Sequence, residues 1–128
     1  VIVFDARVLI AYLGGDDHLH ARAETLLDDA VDDDLGANSL TLAEVLVGPA
    51  STGRMDAARE ALRDLEIEEL PFPSDTATRL AQLRADTGLQ LSDCCVLLAA
   101  EHRNAGVASF DDRLVRAAQD RHLRTLGR

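Results

Sequence analysis

The chain has no lysine and no tryptophan, and its aromatic content is only 3%. All 13 basic residues are arginine, against 23 acids, which leaves a net charge of −10. Without a Gly-Lys-Ser/Thr element there is no P-loop. The acidic balance argues against a protein that grips nucleic acid by bulk electrostatics, because phosphate binding draws on a basic footprint. It leaves room for a nuclease, whose carboxylates are negative until a metal fills them. Only two cysteines occur, and they are neighbours, Cys94 and Cys95. Adjacent side chains on a helix point about 100° apart, so an ordinary disulfide between them is not expected. No CxxC pair is present for zinc. Buried free thiols in a reducing cytoplasm are the expectation. No apolar run is long enough to cross a bilayer, and a secretory signal is not expected, since Val1-Ile2-Val3-Phe4 runs straight into Asp5.

What is present suffices for a core. Hydrophobic residues make up 47% of 128 residues, and with few aromatics that core is built from Leu, Val, Ile and Ala. The length suits one domain over residues 1–128.

The apolar, β-branched run Val1–Phe4 reads as a buried strand, Leu35–Asn38, Ile67–Phe72 and Val107–Phe110 as three more, with Leu123–Leu126 a further edge strand. Helical periodicity fills the intervals. It covers Ala6–Leu13, then a segment capped by Asp16 or Asp17 and running to about Ala30. Ser39–Val47 follows, broken at Gly48-Pro49, and then Arg54–Leu65, Ser74–Thr87, Ser92–Asn104, and a last helix from Asp111 or Asp112 to about Gln119. Strands that are apolar throughout and alternate with helices imply a three-layer α/β/α fold around a mainly parallel sheet of four to five strands. Ligands bind such sheets at the carboxyl ends of the strands. The four histidines are scattered, and surface positions are expected for them.

Each acid near that edge has an ordinary structural explanation. Asp5 can cap the first helix, and Asp111 or Asp112 the last. Glu44 completes a capping box in Thr41-Leu42-Ala43-Glu44, and Asp93 suits the dipole at a helix start. Together they say something else. Asp5 and Asp111 lie at strand carboxyl ends, and Glu44 and Asp93 in first helical turns facing the same edge. Carboxylates so gathered repel and raise one another's pKa, a cost that a divalent cation removes. Oxygen-only donors select Mg²⁺ or Mn²⁺ rather than zinc, and such ions activate water for attack on a phosphodiester. Receiver domains and haloacid-dehalogenase-like phosphatases also gather acids at a sheet edge, but they require a lysine there.

Four fragments carry a resemblance: Ile2-Val3-Phe4-Asp5-Ala6-Arg7-Val8-Leu9-Ile10-Ala11, Asn38-Ser39-Leu40-Thr41-Leu42-Ala43-Glu44-Val45, Leu91-Ser92-Asp93-Cys94-Cys95-Val96-Leu97-Leu98-Ala99-Ala100, and Ala108-Ser109-Phe110-Asp111-Asp112. In this order and spacing the chain resembles the PIN-domain family, and most closely its small VapC-type toxins. The resemblance implies an Mg²⁺- or Mn²⁺-dependent endoribonuclease. Asp5, Glu44 and Asp93 map onto the core metal-binding acids and Asp111 onto the fourth position, with Asp112 as a substitute. Ser109 matches the family's hydroxyl before that acid. It further implies a homodimer inhibited by a small cognate antitoxin with a basic inhibitory segment, and transfer or ribosomal RNA as substrate. Arg7 departs from the pattern, standing where the family carries Ser or Thr, and is expected to pair with a site carboxylate or to contact phosphate. Two alternatives stay open: a degenerate PIN domain that binds a partner or RNA without cleaving it, and a phosphatase or DNA nuclease using the same acids.

Overall fold

The computed structural model describes residues 1–127. It places five strands and seven helices among them, in the order β1 (Ile2–Phe4), α1 (Ala6–Leu13), α2 (His20–Asp29), β2 (Leu35–Asn38), α3 (Ser39–Ser51), α4 (Met55–Asp64), β3 (Ile67–Leu70), α5 (Thr76–Thr87), α6 (Leu91–Arg103), β4 (Gly106–Ala108), α7 (Asp112–Asp120) and β5 (Thr125–Leu126). The sheet runs β3-β2-β1-β4-β5, and every pairing is parallel. The expected three-layer α/β/α architecture is therefore present.

Alternation along the central strands assigns the layers. Ile2, Phe4, Ala37 and Ala108 face one core with Val8, Leu9, Leu26, Leu42, Val45 and Leu62, the apolar stripes of α1 to α4. Val3, Leu70 and Val107 face the other core with Leu83, Leu97, Leu98 and Leu114 from α5, α6 and α7. α6 is the most deeply set helix, buried from Cys94 to Ala100. Both cysteines are free and buried, and burial pushes both thiols above their ordinary pKa. No helix among the described residues is long and apolar enough to cross a membrane.

Three local expectations change. α3 does not stop at Gly48-Pro49 but continues to Ser51. Pro49 falls in its last turn, where it gives up one bond, to the carbonyl of Val45, and only two helical residues follow it. The hydroxyls of Ser51 and Thr52 bond back to the carbonyls of Val47 and Gly48 at 3.0 and 3.2 Å. α2 begins at His20 with no side-chain cap, because Asp17 is engaged elsewhere. β4 ends at Ala108, so Ser109 and Phe110 lie just beyond the strand. Phe110 there carries the Arg22 guanidinium 4.6 Å over its ring.

Candidate active site

Three chain segments leave the carboxyl ends of β1, β2 and β4 side by side. β1 passes directly into α1, and Asp5 is the residue between them. Its backbone is extended (φ −85°, ψ 168°) and it caps α1, with Oδ1 accepting the Val8 N–H at 3.1 Å. Its Oδ2 accepts the Ser109 hydroxyl at 2.5 Å. The Ser109 oxygen in turn accepts the Asp111 N–H at 3.0 Å. Ser109 is thus a bridge from the end of β1 to the turn before α7, and it is wholly buried. Asp5 is itself only 7% exposed. Burial lifts its carboxyl above the ordinary aspartate value, the bonds from Ser109 and Val8 oppose the shift, and the charges of Asp93 and Asp111 add to it.

Asp93 is the third residue of α6 and half-buried. Burial raises its pKa first, then the charges of Asp111 and Glu44, with Arg113 working in the opposite direction. All four expected acids are therefore linked electrostatically: Asp5 to Asp93 and Asp111, and Asp93 to Asp111 and Glu44. Asp111 caps α7 through the Arg113 N–H at 2.9 Å. Glu44 is exposed. It stands in the second turn of α3 rather than the first, and the expected capping box does not form, because Asn38 caps that helix through the Thr41 N–H at 2.8 Å. Glu44 is thereby released from a capping role. Asp112 is exposed in the first turn of α7 and lines an open groove with Arg22 and Phe110.

Arg7 meets none of the four acids in a hydrogen bond. Its guanidinium makes a two-pronged pair with Asp17, at 2.8 and 2.9 Å. Asp17 also accepts the Leu19 N–H. The pairing holds the Asp17 carboxyl down at about 2.

Two residues near the acids escaped sequence reasoning. Arg113 is the cation whose charge lowers the Asp93 pKa, and an arginine two positions past a capping acid was its only signal. Asn38 ends β2 at the same level as Asp5, and its signal was a polar residue closing an apolar strand.

The donor set contains carboxylate oxygens and no sulfur, which fits a hard divalent cation. Among the described residues no three His, Cys, Asp or Glu side chains are gathered tightly enough to hold an ion as they stand. The acids therefore share one edge and one field without forming a closed cage.

Comparison with known proteins follows the same lines. Residues 2–120 match the model of the PIN domain family. No curated protein sequence matches the chain. Among solved structures, a toxin–antitoxin complex from Klebsiella pneumoniae is similar at a TM-score of 0.74 and 23% identity, covering 87% of each chain. FitAcB from Neisseria gonorrhoeae is similar at 0.72 and 21%, covering 98% of this chain and 96% of that one. FitAB bound to an IR36 DNA fragment is similar at 0.75 and 20%, covering 99% and 94%. At these identities the structures speak to the fold. The family match spans most of the sequence, and the chain belongs to the PIN domain family.

Proposed function

We propose that this chain is an Mg²⁺- or Mn²⁺-dependent endoribonuclease, the toxin of a toxin–antitoxin pair, with residues 1–128 acting as one PIN-like domain. The observation that carries the reading is geometric: Asp5 is buried at the carboxyl end of β1 and joined through Ser109 to the turn that holds Asp111, and Asp93 stands half-buried at the start of α6 beside them. Structural acids are ordinarily paired with bases or solvated. Here burial and then neighbouring acids raise the cost of ionising Asp5 and Asp93, which natural sequences tolerate where function requires it.

In this reading Asp5, Glu44, Asp93 and Asp111 hold the cation. When bound, it neutralises their repulsion and supplies a polarised water for attack on the phosphodiester. Ser109 fixes one oxygen of Asp5 and, through the Asp111 N–H, sets the spacing between two of the acids. Arg113 is the cation best placed to meet an RNA phosphate beside Asp93. Arg7, held by Asp17, supports the first turn of α1. The partner is a small antitoxin whose basic segment enters the acidic edge and competes with RNA, and the working unit is a homodimer. Support for the toxin assignment comes from the likeness to chains solved in toxin–antitoxin complexes.

One observation favours a second reading, a PIN domain that binds without cleaving: the acids do not enclose an ion as they stand. Structured RNA and single-stranded DNA incubated with the protein, with Mn²⁺ or with a chelator, separate the two. The leading reading predicts cleavage of RNA alone, dependent on the ion and abolished in Glu44→Gln. Binding of RNA with no cleavage under either ion would replace it with the binding module. Cleavage of DNA as well would turn the assignment to a general nuclease.

A further inference from the structure

The amide nitrogen of Asn38 is the one buried side-chain polar atom with no hydrogen-bond partner among the described residues. Asn38 is 1% exposed. Its Oδ1 accepts the Thr41 N–H at 2.8 Å. Only the oxygen end of a carboxamide can accept an N–H, so this bond fixes the orientation of the group and leaves Nδ2 as a surplus donor.

The sheet register places that donor. Ile2 is level with Leu35 and Val3 with Gly36, while Phe4 is level with Ala108. One or two steps further along, Asn38, Asp5 and Ser109 form a row across β2, β1 and β4. Level residues on parallel strands face the same side, and here it is the side covered by α6, which carries Asp93. Asn38 and Asp5 have side chains of the same shape in the same capping conformation, φ −72° and ψ 163° against φ −85° and ψ 168°. Each spends one oxygen on the N–H three residues ahead. The free end of Asp5 reaches the next member of the row, Ser109. The same orientation one strand over turns the free end of Asn38 toward Asp5.

We propose that Asn38 is a positioning residue for Asp5. Its carboxamide donates to the Asp5 carboxylate from β2, as the Ser109 hydroxyl does from β4, and the two hold that acid in the middle of the row while the carboxylates are drawn together. An ionised carboxylate accepts about four hydrogen bonds, and Asp5 receives two from Val8 and Ser109. A further donor to a buried charge is worth more than one between neutral groups. The catalytic consequence rests on the nuclease reading above. The contact itself does not.

Asn38→Asp and Asn38→Ser separate the donor from the cap, since both replacements still cap a helix. Asp offers no donor at neutral pH, whereas Ser keeps one. Asn38→Asp adds a buried charge beside Asp5, so in metal-free buffer it is expected to melt below wild type near neutral pH, while Asn38→Ser melts closer to it. Asn38→Asp is expected to lose roughly ten- to a hundredfold in kcat on RNA, with KM changed less than about twofold. Its Mn²⁺-induced rise in Tm should shrink in parallel, and Asn38→Ser should recover part of both. Equal kcat and equal Mn²⁺ response in wild type and Asn38→Asp would leave Asn38 as a cap only. In ¹⁵N-labelled protein with Mg²⁺, the Asn38 carboxamide signals, identified by their loss in Asn38→Asp, should be protected from exchange and lose that protection in Asp5→Asn. Unchanged protection in Asp5→Asn would overturn the proposal whether or not the chain cleaves RNA.

Discussion

Asp5 and Asp17 flank the same short helix and behave in opposite ways. Asp17 sits in the turn after α1, takes both nitrogens of Arg7 and is held at about 2. Asp5 sits before α1, is buried against a hydroxyl and a backbone N–H, faces two further acids, and is raised. The net charge of −10 is therefore not one kind of surface. Where an acid serves the fold, an arginine or solvent meets it, as Arg124 meets Asp33 and Arg103 meets Glu68. At the carboxyl edge, among the described residues, no arginine forms an ion pair with Asp5 or Asp93, and in the proposed reading that contrast separates a stabilising carboxylate from one held ready for chemistry.

The largest effect expected of this contrast is on cleavage. Asp5→Asn should abolish RNA cleavage by at least about a hundredfold, beyond the loss typical of groups that merely support metal ligands. Stability should change by less than about 1 kcal/mol, because Asn still caps α1 through its oxygen and its Nδ2 can donate to the Ser109 oxygen. Full activity in the folded variant, measured in a gel-based cleavage assay, would remove Asp5 from the site.

The next effect is on the pH dependence of folding, and the two aspartates carry opposite signs. A raised acid binds its proton more tightly in the folded state. Ionising Asp5 and Asp93 therefore withdraws stability as pH climbs from the ordinary aspartate value through their raised values. A lowered acid does the reverse: the Asp17 contribution is complete above the ordinary value and is lost as pH falls through about 2. In metal-free buffer, Asp5→Asn should thus raise Tm relative to wild type near neutral pH, with the advantage vanishing in acid. Denaturant melts across that range check it, and an advantage independent of pH would mean the charge of Asp5 is not the cause.

Much of this was legible in the sequence, and what was not has identifiable causes. β1, β2 and β4 and the acids near them were readable because burial on both sheet faces favours apolar runs that end on a polar residue where the chain turns, whereas the edge strand β3 exposes Glu68 and Glu69. The continuation of α3 through Pro49 was hidden because Gly48-Pro49 reads as a helix stop, and sequence alone does not show that the Ser51 and Thr52 hydroxyls close the turn beyond it. The Arg7–Asp17 pair was hidden because it depends on how the turn after α1 folds back. Asn38 was hidden because a cap and a row position look alike until the register is known.

A smaller effect tests the other side of the comparison. Arg7→Ala removes the partner of Asp17 but no group from the acidic edge. It should lower Tm slightly, with the loss disappearing at acid pH and in high salt, since exposed pairs are weak and screened. Cleavage should stay within about twofold of wild type. A collapse of cleavage in the folded variant would mean that Arg7 serves substrate.

The central claim, that the four acids act together as a divalent cation site, is tested most directly by the Mn²⁺ dependence of Tm in wild type and Asp93→Asn. A cation that binds only the folded chain adds about 2.7 kcal/mol at a hundredfold excess over its Kd. Asp93→Asn keeps a side chain of the same shape at the start of α6 but weakens the donor coupled to both Asp111 and Glu44. The account predicts a Tm that climbs with Mn²⁺ in wild type and stays nearly flat in Asp93→Asn. Equal climbs in the two proteins would place the cation elsewhere and contradict it.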